Sequence, residues 1–322
     1  MTYRECYEKG YRILNEAGIE EDALDARLLL EAVCGTNRND LLVHGEQPVT
    51  VEAEEKYMDW IKKRAGHIPL QQLTGEQDFM GLTFTVNEHV LIPRQDTEIL
   101  VEEALKELHD GMRVLDMCTG SGCILISLLH YSNGCEGLGV DLSAEALQVA
   151  ERNAQRILGE KPSKPVSLEI KLPEAKVDGD KTFEAESGDA EAALDFAENE
   201  TAGRARFLQS DLFENVKGKF EIIVSNPPYI ASAEVDRLMP EVRDHEPRMA
   251  LDGTADGLEF YRRIIEDAGS HLVSSGMLFF EIGYDQGQAV SELMRQHGYR
   301  EVQVVQDYAG LDRVVYGTYV TV

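Results

Sequence analysis

The stretch Arg113-Val114-Leu115-Asp116-Met117-Cys118-Thr119-Gly120-Ser121-Gly122, followed by Cys123-Ile124-Leu125-Ile126-Ser127-Leu128-Leu129-His130, decides the fold. Its first five residues have the length and apolar content of a buried strand. Small residues with two glycines then make a tight loop. The apolar run after it, Cys123 to His130, reads as a helix. Strand, glycine turn and helix in succession open a βαβ unit, and such units build parallel sheets.

The pattern repeats outward. Gly137 to Leu142 is the next strand, and Ser143 is placed to cap a helix from Ala144 to about Leu158. Arg204 to Gln209 and Phe220 to Ser225 are two more strands. A helix is expected over about 258–273, a fifth strand from Met277 to Ile282 and a helix from Gln286 to His297. Tyr299 to Gln306 and Arg313 to Val320 close the chain. Only a few residues join this last pair, and a parallel crossover needs a dozen or more, so the pair is antiparallel. The expected fold is α/β: a seven-stranded, mostly parallel Rossmann-like sheet with an antiparallel end.

The fourth strand runs into Asn226-Pro227-Pro228-Tyr229. Two prolines end a central strand, because neither can donate to a ladder. A plain strand-to-loop stop accounts for the prolines alone. Yet the carboxyl ends of strands are where open α/β sheets bind ligands. There, the Asn226 side-chain oxygen and the Pro227 carbonyl could each accept a hydrogen bond from one substrate –NH2 group. Tyr229 could stack on a planar group.

Gly120 and Gly122 let the backbone pass close to a ligand, and the helix behind them offers free N–H groups. Asp141 ends the next strand, where a carboxylate grips ribose hydroxyls in nucleotide sites. A dinucleotide fingerprint would put a third glycine at position 125, where Leu125 stands. A nicotinamide or flavin cofactor is therefore disfavoured. S-adenosylmethionine fits better: ribose for Asp141, a methionine tail for the glycine loop, and a sulfonium favoured by nearby carboxylates, Asp116 included. Asp211-Leu212, at the end of the third strand, can bracket the adenine.

Bulk properties narrow the class. The 322 residues suggest two domains, and a hydrophobic content of 43% supports a sizeable core. A net charge of −28 opposes a nucleic-acid groove, and Lys62-Lys63-Arg64 is the only basic run. Five cysteines, odd in number and without metal spacing, suit a reducing cytosol. The histidines show no ligand pattern, so no metal is expected. Met1 to Glu5 does not read as a signal peptide, and no apolar run approaches membrane length. Cytoplasmic residence and a monomer are the expectations.

Residues 1–75 read as helical, with Gly18 and Gly35 as stops and Thr50 as the cap of a helix from Val51 to Arg64. Residues 76–95 read as a linker hairpin turning at Asn87-Glu88-His89, with His89 a turn residue. Asp96 is placed to cap a helix reaching about His109. Residues 96–322 form the main domain. Within it, 160–202 holds 12 acidic residues against 5 lysines and reads as a largely disordered insertion.

In this order the motifs resemble the glutamine-N5 methyltransferases of the HemK family, which modify peptide chain release factors. Pro69-Leu70-Gln71-Gln72-Leu73-Thr74-Gly75 is similar to the family's inter-domain segment. Ile92-Pro93-Arg94-Gln95-Asp96-Thr97-Glu98 is similar to its Pro-Arg-Pro-Glu-Thr-Glu element. Glu246 to Leu251, Asp256-Gly257-Leu258 and Glu281-Ile282-Gly283 also look familial. The resemblance implies a class I methyltransferase sheet behind a small helical substrate-recognition domain. It implies S-adenosylmethionine held by Asp116, Cys118, Thr119, Gly120, Ser121, Gly122, Asp141, Leu142, Asp211, Leu212 and Asn226. It implies catalysis by Asn226, Pro227 and Tyr229, with Pro228 beside them at the substrate. The methyl acceptor would be the glutamine of a Gly-Gly-Gln tripeptide in a release factor. Cys118 departs from the family loop, where a glycine is usual, so this loop should reach its ligand without a positive φ there. Cys118 and Cys123 read as small packing residues rather than nucleophiles. Arg94 is open between the cofactor carboxylate, the partner and solvent.

Two other functions use the same residues. An adenine-N6 methyltransferase poses the same –NH2 problem on a flipped base, and the acidity counts against it. A non-catalytic scaffold that binds the nucleoside or a ribosomal partner is the second, and an intact Asn226 and glycine loop argue against such decay.

Overall fold

The computed structural model describes residues 1–159 and 203–320; the acidic segment 160–202, with the disorder expected of it, lies outside the described residues. Five helices come first: α1 (Tyr3–Glu16), α2 (Asp22–Cys34), α3 (Arg38–Val43), α4 (Val51–Ala65) and α5 (Leu70–Thr74). Thr2 closes a capping box on α1, Gly35 caps α2 in the left-handed region, and Thr50 accepts from the Ala53 N–H to start α4. Leu14, Leu29, Leu30, Tyr57 and Ile61 bury a core of their own. Tyr11, on the same apolar stripe as Leu14, is instead exposed.

Arg64 is buried at the edge of this unit. Its Nε donates to Asp25 at 2.7 Å, and Nη1 and Nη2 both donate to Glu241 Oε1 at 3.2 Å. Gln72 Nε2 donates to the His245 carbonyl at 2.8 Å. The first 75 residues are thus tied to the segment 240–246. Burial raises the Asp25 carboxyl, and Arg64 pulls it back. Arg64→Met should cost about 2 kcal/mol, because it strands a buried carboxyl without its donor; the midpoint of urea unfolding measures it.

A hairpin follows, β1 (Glu76–Phe79) and β2 (Leu82–Thr85), turning at Met80-Gly81 and not at Asn87-Glu88-His89. The reason is backbone chirality. Met80 and Gly81 both have positive φ, at 52° and 70°, which matches the twist of a two-residue hairpin. Val90 to Ile92 lies outside any strand, and His89 does sit in a turn. Next comes α6 (Asp96–Glu107). Its N-cap is Gln95, not Asp96; the Asp96 carboxylate is in the first turn and pairs with Arg313 at 3.2 Å.

The remaining elements are β3 (Arg113–Met117), α7 (Cys123–His130), β4 (Glu136–Asp141), α8 (Ala144–Leu158), β5 (Ala205–Gln209), β6 (Phe220–Ser225), α9 (Ser232–Val235), α10 (Pro240–Arg243), α11 (Glu259–His271), β7 (Leu272–Glu281), α12 (Gly287–Gln296), β8 (Tyr299–Gln306) and β9 (Asp312–Tyr319). Among the described residues the large sheet has seven strands in the order β5-β4-β3-β6-β7-β9-β8. Only β9 runs against the rest. β7 starts five residues before Met277, directly after α11. Its early part holds a bulge, where Ser275 adopts φ 65°.

Side chains alternate across the sheet. Val114, Ile222 and Val224 face α6, α7 and α8, while Leu115, Met117 and Ile223 face α11 and α12. Leu125 fills the place of the absent third glycine because the strand makes room for it. A Cβ on Gly137 would lie 2.4 Å from Leu125 Cδ1. The chain reverses its strand order between β3 and β6, so their carboxyl ends flank the crevice where such sheets take ligands.

Candidate active site

The loop after β3 is built on a buried carboxylate. Asp116 accepts from the Thr119 hydroxyl at 2.6 Å and from the Leu125 N–H at 3.3 Å, and its Oδ1 is buried without a partner. Burial pushes its pKa up to about 7, against the pull of those two donors. Asp116 therefore stabilises the fold most when protonated, below 3.8. That contribution is lost as the pH rises through about 7. Asp116→Asn should remove its share of this slope, at most about 1.4 kcal/mol per pH unit, from unfolding curves taken between pH 4 and 7.

Cys118 has φ 63°, contrary to the expectation that a side chain there would keep the loop out of the left-handed region. The loop takes the glycine-like turn and carries the strain, of order 1–2 kcal/mol. Leu212, after β5, is strained in the same way at φ 48°. Such outliers gather where a surrounding frame over-determines them. Here the Thr119 N–H is fixed to the Val140 carbonyl at 2.9 Å, and Asn153 of α8 donates to the Ser121 carbonyl at 2.9 Å.

Gly120 and Gly122 have different duties. A Cβ on Gly120, at φ +54°, would meet nothing within 4 Å and would project into open space. A Cβ on Gly122, at φ +78°, would strike Ile126 and Ala150. The first keeps a cradle clear; the second lets α7 and α8 pack. Asp141 receives the Gly120 N–H and the Ser143 N–H, both at 2.9 Å, one on each oxygen. Each oxygen retains a lone pair for a hydroxyl donor. Burial raises its pKa, and these N–H groups oppose the rise.

These residues open onto a cavity of about 310 Å³. It brings together Cys118, Thr119, Gly120, Ser121, Asp141, Leu142, Asp211, Leu212, Asn226 and Pro228 of the expected set. Asp116, Gly122, Pro227 and Tyr229 are not on its wall: Asp116 and Gly122 lie beneath the loop. Pro227 is buried, and Tyr229 is half-buried with its hydroxyl 3.4 Å from Glu281. Asp211 pairs with Arg263 at 2.8 Å, so its carboxylate already has a partner. Arg94 lines the cavity but is ion-paired with the buried Glu246. Burial pushes the Cys123 thiol up to about 12 and raises Cys118 further still, which suits packing residues.

Four contributors had no site role assigned from the sequence, although Thr97 and Glu281 stand in stretches quoted above. Thr97, 2% exposed, accepts from Asn226 Nδ2 at 3.4 Å and lines the cavity. Glu281, 2% exposed, ends β7 behind Tyr229; burial pushes it up to about 7, opposed by the Thr97 hydroxyl, Arg313 and Tyr229. Gln286 donates from Nε2 to the Tyr229 carbonyl at 2.9 Å. Asn153 holds the glycine loop. No periodicity could have marked them, since each acts across a long sequence separation.

The arrangement can hold a nucleoside with a short polar tail. Open space above Gly120 and the acceptor oxygens of Asp141 on the cavity wall fit S-adenosylmethionine. Four acidic groups on or under the cavity wall, Asp116, Asp141, Asp211 and Asp252, suit a sulfonium. Among the described residues no group of three or more His, Cys, Asp or Glu could hold a metal, and no helix is long and apolar enough to cross a membrane.

Residues 5–75 match the PrmC N-terminal domain. The release factor glutamine methyltransferase of Moorella thermoacetica is 38% identical over 317 residues, 97% of this chain and 97% of that protein. The enzyme of the same name from Agrobacterium fabrum is 35% identical over 308 residues, 94% of this chain and 92% of its own length. A solved protein-(glutamine-N5) methyltransferase (release factor-specific) from Alicyclobacillus acidocaldarius is 28% identical, with a TM-score of 0.36 over 74% of this chain and 100% of that one. With identity above 30% along nearly the whole chain, and the glycine loop, Asp141 and Asn226 gathered at one crevice, this protein belongs to the family of release factor glutamine methyltransferases.

Proposed function

We propose that this chain transfers a methyl group from S-adenosylmethionine to the side-chain amide nitrogen of the glutamine in the Gly-Gly-Gln tripeptide of a peptide chain release factor. The observation that carries the reading is the setting of Asn226. It stands at the carboxyl end of β6, on the wall of the cavity that Gly120 and Asp141 also line. One of its two Nδ2–H groups goes to Thr97, and its oxygen is the atom that can accept from a substrate donor.

Gly120, Ser121 and the Asp141 carboxylate would hold the cofactor, with Leu142 and Leu212 as apolar walls. S-adenosylmethionine supplies an electrophilic methyl group on a sulfonium sulfur and leaves as S-adenosylhomocysteine. An amide nitrogen is a poor nucleophile because its lone pair is delocalised. Asn226 Oδ1 and the Pro227 carbonyl would each accept one N–H of the substrate amide. That fixes the nitrogen and favours its pyramidal form. Orientation of this kind can supply on the order of 7–11 kcal/mol. No strong general base and no metal is invoked. Tyr229 would bound the substrate amide from the side. The helical residues 1–75 and the β1–β2 hairpin are proposed to receive the body of the partner, and the enzyme is read as a cytoplasmic monomer.

Incubation with a purified release factor and methyl-labelled cofactor, followed by peptide mapping, tests this. The label is expected on the glutamine of the tripeptide. Label on any other residue, or none with the cofactor bound, contradicts the reading.

A further inference from the structure

Glu281 touches the described cavity nowhere, yet it lies at the centre of a polar line that ends there. Its Oε1 is 3.4 Å from the Tyr229 hydroxyl. Its Oε2 is buried without a hydrogen-bond partner, and the Thr97 hydroxyl is among the groups that favour the charge on this carboxyl. Thr97 in turn accepts the Nδ2–H of Asn226. Glu281 of β7 and Thr97 of α6, each 2% exposed, thus stand behind Asn226 at the end of β6, which lines the cavity wall.

The polarity of this line matters. A hydroxyl has one proton to give. If Thr97 accepts from Asn226, its own proton must go elsewhere, and an ionised carboxylate can only accept. A side-chain amide fits nearly the same space with its ends exchanged. Exchanged, Asn226 would present N–H to a substrate –NH2, donor against donor. Arg313 lies near enough to favour the ionised carboxylate, and it is held by Asp96 and Asp307 at 3.2 and 3.0 Å.

We propose that Glu281 is a positioning residue: it fixes the direction of the Thr97 hydroxyl, and through it keeps the Asn226 oxygen turned toward the methyl-accepting –NH2. The inference rests on the role given to Asn226 above. Glu281 also takes the Tyr229 hydroxyl, so it steadies Asn-Pro-Pro-Tyr at both ends.

Glu281→Gln tests this because glutamine has the same shape but a donor at one end, so the line can run backwards. The full-length chain is compared as wild type, Glu281→Gln, Thr97→Val, Thr97→Ser and Asn226→Ala. For each, kcat and KM with a purified release factor, cofactor Kd and Tm are measured at pH 8. Glu281→Gln and Thr97→Val should lower kcat by about 10- to 100-fold, the scale of one hydrogen bond to a charged group. Cofactor Kd should stay within about threefold, because neither variant removes a cofactor-binding group named above. Thr97→Ser, which keeps the hydroxyl, should recover most of what Thr97→Val loses. A kcat near wild type in Glu281→Gln, beside an inactive Asn226→Ala, overturns this inference and leaves the role of Asn226 standing. An active Asn226→Ala overturns both. Should Glu281→Gln fail to fold, the threonine pair decides: Thr97→Val with undiminished kcat, or Thr97→Ser as poor as Thr97→Val, overturns the proposal.

Discussion

Asn226→Ala is expected to lower kcat for methyl transfer by about 10²- to 10³-fold, the cost of removing one preorganised group that acts on the reacting centre. Cofactor affinity should change little. The cradle rests on Gly120, Ser121 and Asp141, which are held by Val140, Ser143 and Asn153 and not by Asn226. The fold should survive, because Asn226 is half-buried and gives up only a long hydrogen bond to Thr97. Aspartate at the same position is a sharper variant. It keeps an acceptor but loses the Nδ2–H that Thr97 receives, so it should fall between alanine and wild type. Calorimetric titration with the cofactor, beside single-turnover methylation, separates the two effects.

The second large effect is expected at Gly257, which touches no ligand. Its φ is +72°, and a Cβ there would lie 2.3 Å from the Tyr229 carbonyl oxygen and 2.8 Å from Gln286 Nε2. Gln286 is the residue that holds that carbonyl, at 2.9 Å. Gly257→Ala therefore adds left-handed strain of about 1–2 kcal/mol and pushes directly on the backbone of the tetrapeptide. The chain can yield only by shifting Tyr229, and with it Pro227 and Asn226. A displacement of about 1 Å at a reacting centre can cost 10²-fold in rate. Gly257→Ala should thus lose about 10²-fold in kcat with modest loss of stability. A near-normal rate would mean that the tetrapeptide tolerates movement, against an orientation mechanism.

Much of the fold was legible because its signals are local. Apolar runs of strand length, Ser143 and Thr50 as caps, and a last connection too short for a crossover all act within a few residues. The hairpin turn was misplaced because Met80-Gly81 lacks the usual asparagine or aspartate, while Asn87-Glu88-His89 looks like a turn and is one, outside the hairpin. Cys118 was misjudged because the strain of a non-glycine residue at positive φ can be borne when neighbours pin the loop. Asp116 and Gly122 were read as cofactor contacts, but Asp116, within β3, and Gly122 support the loop from beneath instead of facing the cavity. Thr97 and Glu281 stand in quoted stretches, but their place behind Asn226 and Tyr229 was hidden for a different reason. Thr97 is 129 residues from Asn226, and Glu281 is 52 from Tyr229. Only the crossing of α6, β6 and β7 brings them together.

Asn226 is proposed to orient a glutamine amide for methyl transfer. One experiment tests this role directly: labelled S-adenosylmethionine with a release factor and, in parallel, duplex DNA, each with wild type and Asn226→Ala. Label is expected on the release-factor glutamine with wild type, on nothing with Asn226→Ala, and on DNA with neither. Label on DNA alone, or undiminished label on the release factor with Asn226→Ala, would contradict this role.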